Sequence, residues 1–422
     1  MTDPHLPPTP RLRVVTREID PLEDVLSYTS PSHPTYWNRR GDVMAAVGEV
    51  VALSGGTIAG GALGARWRAL AEHAEIDDPV GLPGTGLIAF GAFAFDPASG
   101  STGRLTVPRI VVGRRGGRSW TTRITDAEHP DDDAGAPPAR VDYGPYWPAT
   151  LGPGALDPSG YQAAVRGGLE AIAAGEVSKV VLARDISGFV PAGSDLRRLA
   201  RALAQGYPDC WTFAVDGLIG ASPETLVTVS DGTVTARVLA GTAPRGADAD
   251  ADTAASLALA TSAKDQDEHL YAVQSVLASL RPHTSALAAS EQPFTLKLPN
   301  VFHLATDVEG DLIGGASALD LVAALHPTAA VAGTPTDAAL AVIRRLEPFD
   351  RGRYAGPVGW VGANGDGEWA IALRCAQFDL DATGDDIPLC AHAGAGIVAG
   401  SDPEAELLET RVKFRPIVDA LA

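Results

Sequence analysis

Residues 211–222 read WTFAVDGLIGAS, in which two runs of apolar residues are separated by Asp216-Gly217. Short runs rich in aromatic and aliphatic residues are typical of strands. An Asp-Gly pair favours the two-residue type I′ turn of a β-hairpin. Strands joined by such a short turn must be antiparallel, because a parallel pair needs a long crossover. This stretch therefore predicts a hairpin within an antiparallel sheet.

Further tight turns follow this hairpin. LVTV at 226–229 is separated from TVTARVLAG at 233–241 by Ser-Asp-Gly. A later set of strands runs from GPVGWVG through Asn364-Gly-Asp-Gly to EWAIALRCAQFDL. We therefore expect an α+β fold with large, mainly antiparallel β-sheets rather than a doubly wound parallel sheet.

The segments before these hairpins differ in composition. Residues 1–35 are expected to be a loosely ordered lead-in, and the Asp-, Pro- and Gly-rich stretch 126–160 is the best candidate for a linker. The sequence also predicts regular elements, namely a helix from Asp42 to about His73, strands within 86–96 and 105–115, and a helix over about 161–174.

Composition limits the classes of function. The chain has 422 residues, of which 45% are hydrophobic and 20% charged, as in ordinary soluble globular proteins. Its net charge of −19 argues against nucleic acid or an anionic membrane as a partner, because both select basic surfaces. An acidic protein that acts on an anionic metabolite needs a local cationic patch or a metal.

The cysteines and the N-terminus indicate a compartment. Cys210, Cys375 and Cys390 lie far apart, so neither a disulfide framework nor a zinc site is indicated. The N-terminus is polar and Pro-rich, so we do not expect it to act as a signal peptide, and no stretch approaches 18 apolar residues. We expect a cytoplasmic protein that acts as a monomer.

The segment VSKVVLARD, residues 177–185, predicts a strand with a lysine on an apolar face. Val177, Lys179, Val181 and Ala183 share that face, because side chains alternate along a strand. The lysine either extends to water from an edge strand or is buried, and burial favours the neutral amine.

Two segments predict helices that begin with acidic residues. Ser262 can cap the helix of 262–280, with Asp265 three residues later. Its apolar stripe is predicted to comprise Leu270, Val273, Leu277 and Leu280. The C-terminal helix begins with Ser401 or Asp402 as cap and Pro403 at its first position.

Each of these helices carries two carboxylates three residues apart. They are Asp265 and Glu268 in one helix, and Glu406 and Glu409 in the other, with Lys413 on the same face. Acids in a first turn often do no more than favour the helix dipole. If the two helices face each other, however, their carboxylates form an oxygen-rich site that suits Mg²⁺.

Glycine-rich segments raise a second hypothesis, nucleotide binding. AHAGAGIVAG at 391–400 contains Gly-x-Gly, but no helix opens on these glycines as a dinucleotide fingerprint requires. AGTAPRG at 240–246 lacks the Gly-Lys-Ser/Thr of a P-loop. A nucleotide-dependent oxidoreductase is therefore the less favoured class.

Nine segments in order resemble the chorismate-utilising enzymes, related to anthranilate synthase component I, and most of all the isochorismate synthases of menaquinone and siderophore pathways. They are KVVLAR (179–184), GASPE (220–224), LAGTAPRG (239–246), SAKDQDEH (262–269), VFHLATDVEG (301–310), LHPTAAVAG (325–333), EPFDRGRYAGPVGW (347–360), GDGEWAIALRCA (365–376) and AGAGIVAGSDPEAELLETRVK (393–413). The resemblance covers about residues 157–418, and it implies that residues 36–150 are the N-terminal sheet and helix portion of the same fold. It also implies a sandwich of antiparallel sheets with helices outside, and a Mg²⁺-dependent site between the sheets.

The resemblance assigns roles to individual residues. Lys179 matches the general base of the family and Glu224 its general acid. Glu268 and Glu409 match the Mg²⁺ ligands, with Asp265 and Glu406 behind or beside them through water. The groups that match substrate-binding positions are Tyr354, Arg374, Lys413, Gly394, Gly396, Gly241, Thr242 and His303.

These residue types suit the isomerisation of chorismate, in which water attacks C2 while the C4 hydroxyl leaves. The attack needs a base, and the departing hydroxide needs an acid. A bidentate arginine suits a substrate carboxylate. A non-catalytic metabolite-binding protein would keep the arginine but would not need both Lys179 and Glu224.

Comparison within the family favours one activity. Anthranilate synthases typically have glutamine at the position of Lys179, and aminodeoxychorismate synthases carry a nucleophilic lysine at the position of Ala240. Salicylate synthases share Lys179 and Glu224 and then eliminate pyruvate. The small, aliphatic Ala330 and Val331 resemble the members that release isochorismate, and salicylate synthase remains the alternative.

Overall fold

The computed structural model describes residues 10–55, 58, 61–129, 136–297 and 301–422. These residues form eight α-helices: α1 (Ala62–Glu72), α2 (Pro158–Ala173), α3 (Arg197–Gly206), α4 (Ala249–Thr261), α5 (Ala263–Leu280), α6 (Ala318–Leu325), α7 (Thr336–Leu346) and α8 (Pro403–Leu421). Their strands are β1 (Leu12–Ile19), β2 (Thr35–Arg39), β3 (Asp42–Val47), β4 (Val51–Ser54), β5 (Glu75–Asp77), β6 (Ile88–Ala92), β7 (Arg104–Val107), β8 (Ile110–Arg115), β9 (Arg118–Asp126), β10 (Thr150–Pro153), β11 (Lys179–Pro191), β12 (Trp211–Val215), β13 (Leu218–Ser222), β14 (Thr225–Ser230), β15 (Thr233–Pro244), β16 (Thr284–Ala289), β17 (Phe294–Lys297), β18 (Val301–Leu312), β19 (Gly333–Thr334), β20 (Pro357–Gly362), β21 (Gly367–Ile371), β22 (Cys375–Phe378) and β23 (Asp386–Ile397).

The strands form two large sheets. The larger sheet has the order β10-β11-β23-β22-β13-β12-β2-β3-β8-β9-β1-β5, with β19 also beside β11. The smaller sheet has the order β16-β18-β15-β14-β21-β20-β6-β7-β4, with β17 also beside β18. Among the described strands, only β1 and β5 pair in parallel. The predicted α+β fold with mainly antiparallel sheets is therefore confirmed.

The two sheets share one apolar core, with helices on their outer faces. Helices α2, α3, α7 and α8 pack on the larger sheet, whereas α4, α5 and α6 pack on the smaller one. The Glu368 carboxylate of β21 accepts hydrogen bonds from the indole N–H groups of Trp37 in β2 (2.8 Å) and Trp360 in β20 (3.0 Å), so it links the sheets. All seven tryptophans of the chain are buried.

The Asp-Gly pairs act as the sequence predicts. Asp216 and Gly217 have φ of 50° and 78°, the left-handed values that a type I′ turn requires at both central positions. Asp231 and Gly232, with φ of 49° and 79°, join β14 to β15 in the same way. The helix predicted at 161–174 begins slightly earlier, at Pro158, because the Asp157 side chain caps it.

Two predictions for the N-terminal region are wrong. Among the described residues from Asp42 to His73, α-helix is confined to α1, because β3 and β4 occupy the first part of this Ala-rich segment and pair with neighbouring strands on both sheets. Local alanine content favours a helix, but tertiary pairing decides here. The lead-in of 1–35 contains β1, which pairs with β9 along its whole length; residues 1–9 lie outside the described part.

The linker predicted at 126–160 contains the short strand β10, and its residues 130–135 lie outside the described part. Within the described ranges, no helix combines the length and apolarity needed to cross a membrane.

Candidate active site

A cavity of about 360 Å³ lies between the β11–β23 ladder, the β15–β18 pair and the first turns of α5 and α8. Every residue that the sequence singled out for catalysis, metal binding or substrate binding lines it. They are Lys179, Glu224, Gly241, Thr242, Asp265, Glu268, His303, Tyr354, Arg374, Gly394, Gly396, Glu406, Glu409 and Lys413. The structure thus brings these residues together, and their individual roles stay predictions.

Glu224 and Arg374 reach the cavity because the chain crosses from one sheet to the other beside each of them. β13 of the larger sheet ends at Ser222, and β14 of the smaller sheet begins at Thr225. The return crossing joins β21 to β22 through Arg374, whose φ is 50°. Side chains at these crossings point into the space that the separating sheets leave open.

Glu224 has the electrostatic character of an acid. Burial raises its pKa to about 7, although the charges of Lys179, Arg374 and Lys413 act in the opposite direction. A carboxyl group with this pKa is substantially protonated near neutral pH, so it can donate a proton there.

Arg374 is the best candidate for an anion receptor. Among the described residues, none accepts a hydrogen bond from its guanidinium or forms an ion pair with it. Burial lowers its pKa, but an arginine remains protonated at physiological pH. A partly buried cation is poorly solvated, so a substrate carboxylate would be stabilised at this position.

Lys179 differs from its sequence-based description. β11 begins at this residue, so it stands at the start of an apolar strand face rather than in its middle. Its ammonium lies 2.5 Å from Oε1 of Glu268, and its side chain is 15% exposed. The Glu268 carboxylate therefore pairs with this amine at the edge of the cavity.

Gly396 makes room for this lysine. A Cβ at position 396 would lie 3.1 Å from Cε of Lys179, which is tighter than ordinary contact. The glycine therefore allows the lysine side chain to lie across β23 toward the cavity.

The carboxylates enter from two capped helices, as predicted. Ser262 accepts a hydrogen bond from Asp265 N–H (3.3 Å) at the start of α5. Asp402 accepts hydrogen bonds from the backbone at the start of α8. In that helix, Lys413 lies 2.5 Å from Oε1 of Glu409 and donates to the carbonyl of Gly394 at 2.8 Å.

The electrostatics of Glu409 follow from this pair. Burial alone would raise the pKa of Glu409, but the Lys413 ammonium outweighs it and holds the pKa below its ordinary value. Glu409 is therefore ionised near neutral pH and can act as an oxygen ligand or as a partner for Lys413.

The donor set suits Mg²⁺ in its chemistry. Asp265, Glu268, Glu406 and Glu409 offer carboxylate oxygens, the ligands that this hard cation prefers. Within the described part of the chain, no three acidic, histidine or cysteine side chains stand close enough together to hold an ion. Glu268 and Glu409 are paired with lysines instead, so metal binding would require these carboxylates to turn.

The opposite wall is built on a bulge of β15. The pairing with β18 shifts between Ala240 and Thr242, and Gly241 takes φ of 80° at that point. Thr242 Oγ1 lies 2.9 Å from Nδ1 of His303. Burial lowers the pKa of His303 to about 3, so its ring is neutral and serves as a hydrogen-bonding group.

Tyr354 supplies a further hydroxyl to the cavity. Its ring stacks on His392, with the centroids 5.2 Å apart. Burial raises the pKa of Tyr354 to about 12, so it remains a neutral hydrogen-bond donor.

Sequence reasoning missed the part that His269 plays in placing α5. The predicted stripe includes Leu270, but that side chain is 55% exposed. His269 is buried instead, with Nδ1 3.2 Å from the carbonyl of Ala240 and Nε2 2.7 Å from Thr306 Oγ1. The helical spacing of His269 from Val273 and Leu280 places the histidine on the same buried face, and this spacing is the signal in the sequence that could identify it.

Comparison with known proteins identifies the family. The family model described as "Chorismate binding enzyme" matches residues 147–422. This match covers well over half of the sequence, and the chain belongs to the chorismate-binding enzyme family.

Individual relatives agree with this assignment. The isochorismate synthase DhbC of Bacillus subtilis (strain 168) is 41% identical over 277 residues, which cover 63% of this chain and 68% of DhbC. The isochorismate synthase EntC of Escherichia coli (strain K12) is 38% identical over 249 residues, which cover 58% of this chain and 62% of EntC. The structure of MenF, the menaquinone-specific isochorismate synthase from Escherichia coli, has a TM-score of 0.78 at 27% identity and covers 97% of this chain and 95% of MenF.

Proposed function

We propose that this protein is an isochorismate synthase, which isomerises chorismate to isochorismate with Mg²⁺. The observation that carries the proposal is that Lys179 and Glu224 line one cavity together with Arg374, whose guanidinium has no partner among the described residues. A base, an acid and an anion receptor around one space meet the needs of adding water at C2 of a dianion and expelling its C4 hydroxyl.

Substrate binding depends on the cationic and glycine-rich side of the cavity. Arg374 donates two parallel hydrogen bonds to one carboxylate of the substrate, and Tyr354 and Lys413 donate further hydrogen bonds to the substrate. Gly394 and Gly396 let the substrate approach the backbone of β23, while Gly241, Thr242 and His303 close the opposite wall.

Glu224 is the general acid. Its pKa of about 7 leaves a large protonated fraction at neutral pH, so it can deliver a proton to the departing C4 oxygen. After the transfer, the glutamate anion is stabilised by the positive charges of Lys179, Arg374 and Lys413.

Lys179 is the general base that takes a proton from the attacking water. This role needs the neutral amine, so Glu268 must leave Lys179 before the reaction. Glu268 and Glu409 are the proposed Mg²⁺ ligands, with Asp265 and Glu406 beside them through water. Bound Mg²⁺ would neutralise and orient the ring carboxylate of the substrate.

The test is incubation of the purified protein with chorismate and Mg²⁺, followed by chromatographic separation of isochorismate, salicylate and anthranilate. We expect isochorismate, and no conversion in excess EDTA. Salicylate as the main product from the earliest times would support a salicylate synthase instead. A protein that binds chorismate tightly but converts none of it would be a metabolite-binding protein.

A further inference from the structure

Glu347 and Arg351 form an ion pair beneath the cavity. Nη2 of Arg351 lies 2.6 Å from Oε1 of Glu347, and both side chains are almost fully buried, at 2% and 1% exposure. A second bond runs from Nε of Arg351 to Oε2 of Glu347 at 2.8 Å. The guanidinium also lies 4.4 Å from the ring centroid of Phe95. The pair is therefore held in one geometry.

This ion pair occupies a gap along one edge of β11. The start of that edge pairs with β19 and its later part with β10. Between them, Arg351 Nη2 donates to the carbonyl of Val181 at 2.7 Å, and Ala183 N–H donates to Glu347 Oε1 at 2.7 Å. Side chains thus replace a neighbouring strand just beyond Lys179.

The same guanidinium holds another wall of the cavity. Its Nη1 donates to the carbonyl of Val331 at 3.1 Å. The backbone of Arg351 accepts a hydrogen bond from Tyr354 N–H at 3.0 Å, which fixes the turn that carries the tyrosine. Val181, Val331 and Tyr354 all line the cavity, so Arg351 joins three segments of its lining.

Arg351 differs in this respect from Arg374, although both border the cavity. The nitrogens of Arg351 bond to Glu347 and to the two carbonyls, whereas the guanidinium of Arg374 has no such partner among the described residues. The guanidinium of Arg351 thus makes its hydrogen bonds within the protein, and it is poorly placed to bind a substrate carboxylate.

We propose that the Glu347–Arg351 pair is a positioning element that holds Val181 and Val331 side by side in the lining of the cavity, and thereby sets the placement of the substrate ring. This inference rests on the proposed function for its effect on turnover. A displacement of about 1 Å in a reacting geometry can lower a rate by about 100-fold, so a small shift of either wall matters.

The central variant is Glu347→Gln combined with Arg351→Met. Removing one partner alone would leave a buried charge unpaired and could unfold the protein, whereas this double change removes both charges together. The glutamine introduced at position 347 can still accept the Ala183 hydrogen bond, and Val181 N–H keeps its bond to the carbonyl of Ala332 (2.9 Å). The fold should survive while Val331 loses its link to the guanidinium.

We expect kcat to fall about 10- to 100-fold in this variant, with KM and calorimetric Mg²⁺ affinity each changing less than about threefold. Arg351→Lys should fall between the wild type and the double variant, because an ammonium cannot reproduce the fork that reaches both carbonyls. Crystals of the double variant should show a changed distance between Val181 and Val331.

The matched control is Arg353→Gln combined with Asp216→Asn. This change removes the ion pair between Arg353 and Asp216 (2.6 Å), which starts from the same turn but does not contact β11 or Val331. Therefore kcat and the distance between Val181 and Val331, the wall distance, should stay close to the wild-type values. A folded double variant with wild-type kcat and an unchanged wall distance would overturn the proposal, as would full activity of Arg351→Lys. If the wild type converts no chorismate, the proposed function fails, while the wall distance still tests the positioning role.

Discussion

The backbone carbonyls of Glu224 and Arg374 each accept a hydrogen bond from the segment that carries the other residue. Ile371 N–H donates to the carbonyl of Glu224 at 3.1 Å, and Ala221 N–H donates to that of Arg374 at 3.1 Å. The two crossings between the sheets are therefore bonded to each other. This reciprocal link fixes the proposed acid relative to the proposed anion receptor without using either side chain.

Replacing Glu224 with glutamine should therefore test the acid in an intact scaffold. Glutamine keeps the size of the side chain but cannot supply the proton, so kcat should fall about 100- to 10,000-fold. Steady-state kinetics with chorismate measure this. Retention of more than about a tenth of the activity would contradict the role of Glu224 as the acid.

The pH dependence of wild-type activity should reflect the titration of Glu224. The protonated form of Glu224 is present below its pKa of about 7 and is lost as the pH rises through that value. Activity should therefore decrease above about pH 7, by about tenfold per pH unit at the alkaline limit. The pH profile of kcat/KM, with Mg²⁺ kept saturating, measures this. In Glu224→Gln, this alkaline loss should be absent from the residual activity.

The folding stability of the protein should also depend on the protonation of Glu224. The pKa of Glu224 in the folded protein lies above its ordinary value of 4.5, so the folded state holds the proton more tightly than the unfolded state. Its contribution to stability is full below about pH 4.5 and is lost as the pH rises through 7. Urea unfolding of wild type and Glu224→Gln at pH 5 and pH 8 should show the mutant gaining relative stability at pH 8.

Lys179→Ala should abolish turnover while the fold is kept. The change removes the proposed base and its ion pair with Glu268, and the cavity can fill the space with water. The measurement is product formation alongside thermal unfolding. Lys297→Ala is the control, because that lysine is 61% exposed and lies outside the cavity. Near-normal rates in Lys179→Ala would exclude the lysine as the base.

Turnover should require Mg²⁺, and Glu268→Gln or Glu409→Gln should each raise the metal concentration needed for half-maximal rate. An amide oxygen is a weaker ligand for a hard cation than a carboxylate. Titration of activity with Mg²⁺ measures the shift, and calorimetry measures binding directly. Asp267→Asn, an exposed change on the same helix, should leave both unchanged. Full activity in excess EDTA would remove the metal from the mechanism.

Isochorismate should be the main product, with little salicylate. Ala330 and Val331 form a small, aliphatic wall of the cavity, which would not hold bound isochorismate in the conformer that loses pyruvate. A time course can couple pyruvate release to lactate dehydrogenase while isochorismate is followed by chromatography. Stoichiometric pyruvate and salicylate from the first time points would identify a lyase.

Sequence reasoning succeeded where structure is determined locally. The hairpin turn at Asp216-Gly217 and the cap at Ser262 depend on residues a few positions apart, so their patterns could be read directly. The set of cavity residues came from the family resemblance. By contrast, the Lys179–Glu268 ion pair joins residues 89 positions apart. Strand periodicity and helix spacing describe only neighbouring positions, so neither can predict this contact. From the sequence alone, the apolar strand face therefore favours a lysine without a charged partner.

The same limit explains the errors in the helices. Leu270 fits an apolar stripe by spacing, but the strands beneath α5 present a carbonyl and a hydroxyl that bond to His269 instead. In β3, neighbouring strands on both sides supply partners for an alanine-rich segment. The rest of the chain decides which surface a helix or strand packs against. The pattern of the element's own sequence does not contain this information.

The seven tryptophans are all buried, and none of them lines the cavity. They lie in apolar packing, and the rings of Trp37 and Trp211 stack with their centroids 5.1 Å apart. Tryptophan fluorescence can therefore be used to follow the folding of this protein. Intrinsic fluorescence should report the separation of the sheets during unfolding and change little when ligand enters the cavity. Binding studies on this protein will therefore need an introduced label or calorimetry, whereas unfolding can be followed without either.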